Sequence, residues 1–345
     1  MARVRAHGAH GARGRPWRPV AALAAQRGPA ARVAAALARR AKFRCRRPQR
    51  RPGRSHDAAA ANGYACAMNL PFTKMQGLGN DFVVVDGTAA RFAPDAALLA
   101  RLTDRRFGVG CDQVLVVDPA PDAEVDFGYR IFNADGSEVG QCGNGVRCLA
   151  RFVREHGLSA RRQLRVRTRT STMEVELLAD GRVRVNMGAP RFEPAQVPLA
   201  LPRRAARYVL SVDGAQVEFG ACSMGNPHAV IRVGSVDTAP VETLGPSLQA
   251  QAAFPERVNV GFLQLLDRGH ARLRVYERGS GETLACGSGA CAAMAVGRLW
   301  GEFDARVQMQ MRGGALDLEW QAEGTPVFMT GPAETVYEGS LQWPK

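Results

Sequence analysis

Between residues 81 and 188 the chain sets short apolar runs between Gly, Pro and Asp: DFVVVD, QVLVVD, VDFGYRIFN, LRVRTRT, TMEVELL and RVRVNMG. Runs of this length, rich in β-branched residues and bounded by turn formers, predict strands. The style returns between 208 and 320 as YVLSVD, QVEFGAC, HAVIRV, NVGFLQLL, ARLRVYER, RVQMQMR and ALDLEW. Twice the apolar period lengthens to that of a helix. VRCLARFVREHG (146–157) puts Val146, Leu149, Phe152 and Val153 on one stripe, with Gly157 as the stop. GACAAMAVGRLWG (289–301) is small and apolar nearly throughout, which predicts a helix buried among strands. Each half of the chain is therefore read as mostly β around one central helix.

The two halves repeat each other. Cys142-Gly-Asn-Gly returns as Cys286-Gly-Ser-Gly, 144 positions later, and Gly79-Asn80 returns as Gly225-Asn226, 146 positions later. Nine residues before each cysteine a polar residue follows an aromatic one: Phe132-Asn133 and Tyr276-Glu277. A period this long means duplicated domains related by a pseudo-two-fold axis rather than a solenoid.

The formal charge of +14 suggests a polyanion as partner until it is counted along the chain. Residues 1–67 hold 16 Lys and Arg against one acid, Asp57, whereas 68–345 are close to neutral. The nucleic-acid reading of the body loses its support, and no apolar run is long enough to suggest a membrane span. The leader, almost all Ala, Arg, Gly and Pro, is expected to be disordered, and Met68 is expected to be the true start of the folded protein. A basic tail that binds polyanions non-specifically is the alternative for this segment.

Eight cysteines (45, 66, 111, 142, 148, 222, 286 and 291) are dispersed, and the leader carries no readable export signal. Free thiols in a reducing cytoplasm are the expectation. The spacings C-x5-C and C-x4-C, without clustered histidines, do not make a metal site. What distinguishes Cys142 and Cys286 is their place just before a helix. A helix N-terminus offers unpaired N–H groups and partial positive charge, which lowers a thiol pKa and can hold a carboxylate. Two such helices pointing into one cleft would face two thiols across a bound carboxylate, an arrangement able to remove a proton from one face of a carbon and return one to the other. Cys148 and Cys291, inside the helices, are read as packing, as are Cys111 and Cys222.

With those stretches in view, the chain from Met68 onward resembles the diaminopimelate epimerase family. The resemblance is carried by FTKMQGLGNDFVVVD (72–86), GVGCDQVL (108–115), FNADGSEVGQCGNGVRC (132–148), GNPHAV (225–230), RVNVGF (257–262) and ERGSGETLACGSGAC (277–291). It implies an α+β fold of two pseudo-symmetric domains, each a mostly antiparallel sheet wrapped around a central helix, with the active site between them. The implied domains are 68–186 together with about 331–345, and 187–330. The implied activity is cofactor-independent, metal-free interconversion of LL- and meso-diaminopimelate, in lysine and peptidoglycan biosynthesis, with Cys142 and Cys286 as the thiolate/thiol pair. Gly143, Asn144, Gly287 and Ser288 would supply donors to the substrate carboxylate, and Asn80 and Gln113 would contact the reacting end. Asn133, Asn226, Asn259, Glu277 and Arg278 would read the distal amino-acid end. His228 and Glu277 would tune the thiols, and Tyr337 would lie at a homodimer interface. Two alternatives stand beside this reading: a proline or hydroxyproline racemase of the same fold, and a non-catalytic thiol protein such as a redox sensor.

Overall fold

The computed structural model describes residues 68–343. The expectations for the leader, with Cys45 and Cys66, lie outside the described residues. The first half runs through β1 (Met68–Gly77), β2 (Asn80–Asp86), α1 (Ala96–Thr103), β3 (Gln113–Pro119), β4 (Phe127–Asn133), α2 (Gly143–Glu155), β5 (Gln163–Arg167), β6 (Thr172–Leu177) and β7 (Val183–Asn186). The second runs through β8 (Tyr208–Val212), β9 (Ala215–Ser223), β10 (Pro227–Arg232), α3 (Val241–Gln249), β11 (Asn259–Leu265), β12 (His270–Glu277), the two-residue β13 (Gly281–Glu282), α4 (Gly287–Leu299), β14 (Arg306–Met311), β15 (Gly314–Glu319) and β16 (Phe328–Gly331). The last strand, β17 (Glu334–Trp343), pairs antiparallel along β1.

The duplication is visible in the pairing itself. β1/β2 is antiparallel, β2/β3 parallel and β3/β4 antiparallel; β9/β10, β10/β11 and β11/β12 repeat that order. The parallel pair β4/β5 is matched by β12/β14, and the meander β5–β6–β7 by β14–β15–β16. β16 also pairs antiparallel with β7, so hydrogen bonding is continuous from one half to the other. Mostly antiparallel sheet around two central helices is the architecture the sequence leads one to expect.

Both central helices are deeply covered. In α2 the run from Asn144 to Ala150, with Phe152 and Val153, is buried; in α4 Gly289 to Gly297 is. Their side chains share one apolar cluster with the sheets around them. Close approach depends on glycine: a Cβ on Gly145 would stand 2.2 Å from the Tyr129 hydroxyl, and the Tyr129 ring is itself fully buried. Each half also carries a second, short helix that the apolar pattern does not reveal. α1 is capped by the Asp95 side chain, which accepts from the Leu98 N–H, and α3 contains Pro246. No helix among the described residues is long and apolar enough to cross a membrane.

Candidate active site

The strand ends deliver equivalent residues to equivalent places. Asn80 opens β2, Gln113 opens β3 and Asn133 closes β4; in the other half Asn226 precedes β10, Asn259 opens β11 and Glu277 closes β12. Gln113 faces Asn133 across the β3/β4 ladder, and its Nε2 donates to Asn133 Oδ1 at 2.9 Å. Asn259 Oδ1 accepts from the Arg278 N–H at 2.8 Å, and its Nδ2 donates to the Pro227 carbonyl at 3.0 Å. The Arg278 guanidinium is turned to the Glu256 carbonyl at 2.9 Å.

Cys142 and Cys286 are the N-caps of α2 and α4, both with extended backbone. The Cys142 sulfur accepts from the Gly145 N–H at 3.4 Å, the thiol version of a side-chain cap. The two helix starts are tied together by Asn144. Its Nδ2 donates to the carbonyl of Ala285, the residue before Cys286, at 3.1 Å, and reaches Asn80 Oδ1 at 3.4 Å. Met329 packs against both starts, since a Cβ on Gly143 or on Gly287 would come within 3.0 Å of its side chain. Asn226 Nδ2 reaches Ser288 Oγ at 3.4 Å, and His228 is hydrogen-bonded to Asn226 Oδ1 at 3.0 Å. Each of Asn80, Gln113, Asn133, Asn144, Asn226, Asn259 and Ser288 thus has another polar group of this set, or a backbone group beside it, as a partner. Tyr337 stands apart on β17, exposed, with its ring edge-on to Phe72.

The thiols correct one expectation. A helix N-terminus alone would acidify them, but in this ligand-free structure both are pushed up. For Cys142 burial outweighs the Gly145 and Asn144 N–H groups, even though part of its surface stays accessible, and the Glu277 carboxylate adds to the rise. Cys286 is pushed well above the usual thiol range by burial and by Glu277, whose Oε2 lies 3.1 Å from the sulfur. Burial also pushes the Glu277 carboxyl up, against hydrogen bonds from Thr283 and Cys286. At rest the site therefore holds two thiols, that of Cys286 donating to the Glu277 carboxyl group. His228 is pushed down to about 3 by burial and by Arg278, so it is neutral, and its hydrogen-bond partner is Asn226 rather than either sulfur. The cysteines 111, 142, 148, 222, 286 and 291 are all free.

Two buried acceptors, Gln113 Oε1 and Asn144 Oδ1, have no partner among the described residues. Unpaired buried acceptors of this kind await a donor from outside the chain. A concavity of about 800 Å³ lies elsewhere, on a sheet surface lined by Arg161, Arg165, Glu174, Arg184 and Phe328. The orphan acceptors and the paired helix starts lie away from it.

Comparison with known proteins identifies the family. The diaminopimelate epimerase family profile matches residues 72–193 and 220–336, spanning both halves and both cysteines. This chain belongs to the diaminopimelate epimerase family. It is 54% identical over 277 residues to the diaminopimelate epimerase of Alkalilimnicola ehrlichii, covering 80% of this chain and 99% of that one. It is 55% identical over 275 residues to that of Ectopseudomonas mendocina, covering 80% and 100%. The chain is thereby an isomerase of the epimerase type. Among solved structures, a hydroxyproline epimerase from Agrobacterium vitis with bound trans-4-hydroxy-L-proline is similar at a TM-score of 0.61 and 15% identity, covering 80% of this chain and 93% of that one. A PhzF-family phenazine biosynthesis protein from Bacillus anthracis is similar at 0.56 and 17%, covering 79% and 99%. At these identities the likeness is one of fold.

Proposed function

We propose that this chain interconverts LL- and meso-diaminopimelate by a two-base mechanism, with Cys142 and Cys286 as the bases. The observation that carries the reading is the pairing of two cysteine-capped helix starts through the Asn144–Ala285 hydrogen bond. The N–H groups of Gly143–Asn144 and Gly287–Ser288 are suited to a substrate α-carboxylate and to the negative charge that grows on it as the α-proton leaves. The orphan acceptors Gln113 Oε1 and Asn144 Oδ1 suit its ammonium group.

The resting thiols set the order of events. Glu277 is placed to take the Cys286 proton across the 3.1 Å contact. The resulting thiolate takes the α-proton, Cys142 gives its own proton to the opposite face, and the reverse reaction exchanges the roles. Asn133, Asn226, Asn259 and Arg278, with Glu277 beside them, are assigned to the distal amino-acid end, Asn80 to the reacting end, and His228 to holding Asn226. A substrate with no distal polar end would leave such groups unpaired, which disfavours proline as substrate. We take the catalytic halves to be 68–186 with about 331–345, and 187–330, joined by the β7/β16 pairing. We further assign the protein to the cytoplasm, as a homodimer with Tyr337 at the interface.

The test is direct. Purified protein is incubated with LL-diaminopimelate and, separately, with L-proline, and optical rotation is followed. Change with the first substrate alone is expected; change with proline alone would overturn the assignment.

A further inference from the structure

Arg147 is the largest fully buried side chain among the described residues. A buried guanidinium is ordinarily paired with a carboxylate, because an isolated charge in a protein interior is costly. Arg147 has no such partner among the described residues. Its Nε donates to the Pro332 carbonyl at 3.0 Å, and its Nη1 to the Gly143 carbonyl at 3.3 Å and the Met329 sulfur at 3.8 Å. Its Nη2 has no partner among the described residues. The groups around it that can carry negative charge are Cys142 and Cys148 on its own helix, Cys291 on α4 and Tyr129 on β4. The pKa of each is pushed up, chiefly by desolvation, so all four are neutral at rest. Glu277, at the end of β12, also acts on Cys142, its carboxylate form pushing the thiol up.

The place of this cation is specific. Long helical side chains lean toward the N-terminus, so a residue at the fifth position of α2 delivers its charge to the first turn. Its Nη1 hydrogen bond to Gly143, the residue next to Cys142, is the result. The start of α2 is already positive through the helix dipole, so a further positive charge there opposes helix stability, and an anion at the helix start offsets it. We propose that Arg147 is a positioning residue that acts through Cys142: its uncompensated charge is the built-in counter-ion of the Cys142 thiolate that forms in the catalytic cycle. Glu277 disfavours that thiolate; Arg147 offsets it from within α2.

The proposal rests on the two-base reading, but its readout is the reactivity of Cys142 rather than turnover. In a Cys286→Ser background, the rate of Cys142 alkylation by iodoacetamide is followed against pH by peptide mass spectrometry, for Arg147, Arg147→Lys, Arg147→Gln and Arg147→Met. The charge-free Gln and Met variants are expected to shift the alkylation midpoint upward by on the order of one pH unit, about tenfold slower at neutral pH, while Lys keeps the midpoint near that of arginine. Because the resting charge lacks an anionic partner, Met, apolar and of similar length, is expected to fold at least as stably as arginine. An unchanged midpoint in a folded Gln or Met variant would overturn the proposal. So would a Met variant that cannot fold, which would make Arg147 a structural strut. The two-base reading fails on a different result, full epimerisation by Cys142→Ser.

Discussion

The carboxyl of Glu277 and the thiol of Cys286 form the most consequential pair of side chains in the site. Burial raises the carboxyl pKa, so the neutral acid is favoured by folding, and the carboxylate that the proposed mechanism uses to accept the thiol proton forms at a folding cost. The stability associated with the neutral acid is complete below the unfolded pKa and is lost as pH rises through the raised folded value. Glu277→Gln removes that loss while abolishing the proton acceptor. At neutral pH it should therefore melt no lower than the parent protein while turning over about 10²-fold or more slower; a clearly lower Tm would show that the carboxylate is instead a net stabiliser. His228 titrates in the other sense. With its pKa lowered from 6.5 to about 3, it binds a proton more readily unfolded than folded. Its contribution to stability is intact above 6.5 and falls as pH drops through the window from 6.5 toward 3, at up to about 1.4 kcal/mol per pH unit. His228→Gln should flatten the decline in urea midpoint between pH 7 and pH 5. An unchanged slope would place the acid sensitivity in other groups. Cys142 and Cys286 were legible as a pair from the duplication, since one copy of C-G-x-G says little and two copies in matching surroundings say much. The state of the thiols was not legible. Spacing reveals the helix end that lowers a pKa but not the burial that raises it, and here burial wins. Arg147 was missed for a related reason: a charged residue beside an apolar stripe reads as solvent-facing, and only the packing of Pro332 and Met329 around it shows otherwise.

At the scale of elements, the short runs of β-branched residues located the strands they named to within a residue or two, with β5 ending three residues early, and the two long apolar stripes located α2 and α4. The two short helices escaped because eight or nine residues give barely two turns of periodicity; for α1 the capping Asp95 followed by AALLARLT was the available signal. The partners of β16 and β17 were also invisible locally, since nothing within a strand states which distant edge it will join. What places Cys142 is how closely α2 approaches β4 at Gly145. A methyl group there must displace the Tyr129 hydroxyl from a fully packed site. Gly145→Ala should cost about 1–3 kcal/mol in urea unfolding, with part of the loss recovered by adding Tyr129→Phe. Full additivity of the two substitutions would rule out that contact as the cause.

Across the described residues, two copies of one α+β unit share a continuous sheet and bring their two cysteine-capped helix starts together. The curated relatives match about four-fifths of this chain while being covered almost completely, so the basic leader has no counterpart in them. A chain beginning at Met68 is expected to have the full activity of the longer one, and any binding to polyanions is expected to be salt-sensitive and to disappear with the leader; a loss of turnover on removing it would give the leader a role in the enzyme. The two-base reading itself depends on both halves acting on opposite faces of one carbon. It is tested most directly by incubating LL-diaminopimelate with the enzyme in D2O and comparing deuterium at the α-carbon of product and of unreacted substrate during the first turnovers. Two bases predict product that carries one solvent deuterium at the inverted centre while recovered substrate remains protonated. Product that keeps its original hydrogen, or substrate that exchanges as fast as product forms, would contradict it.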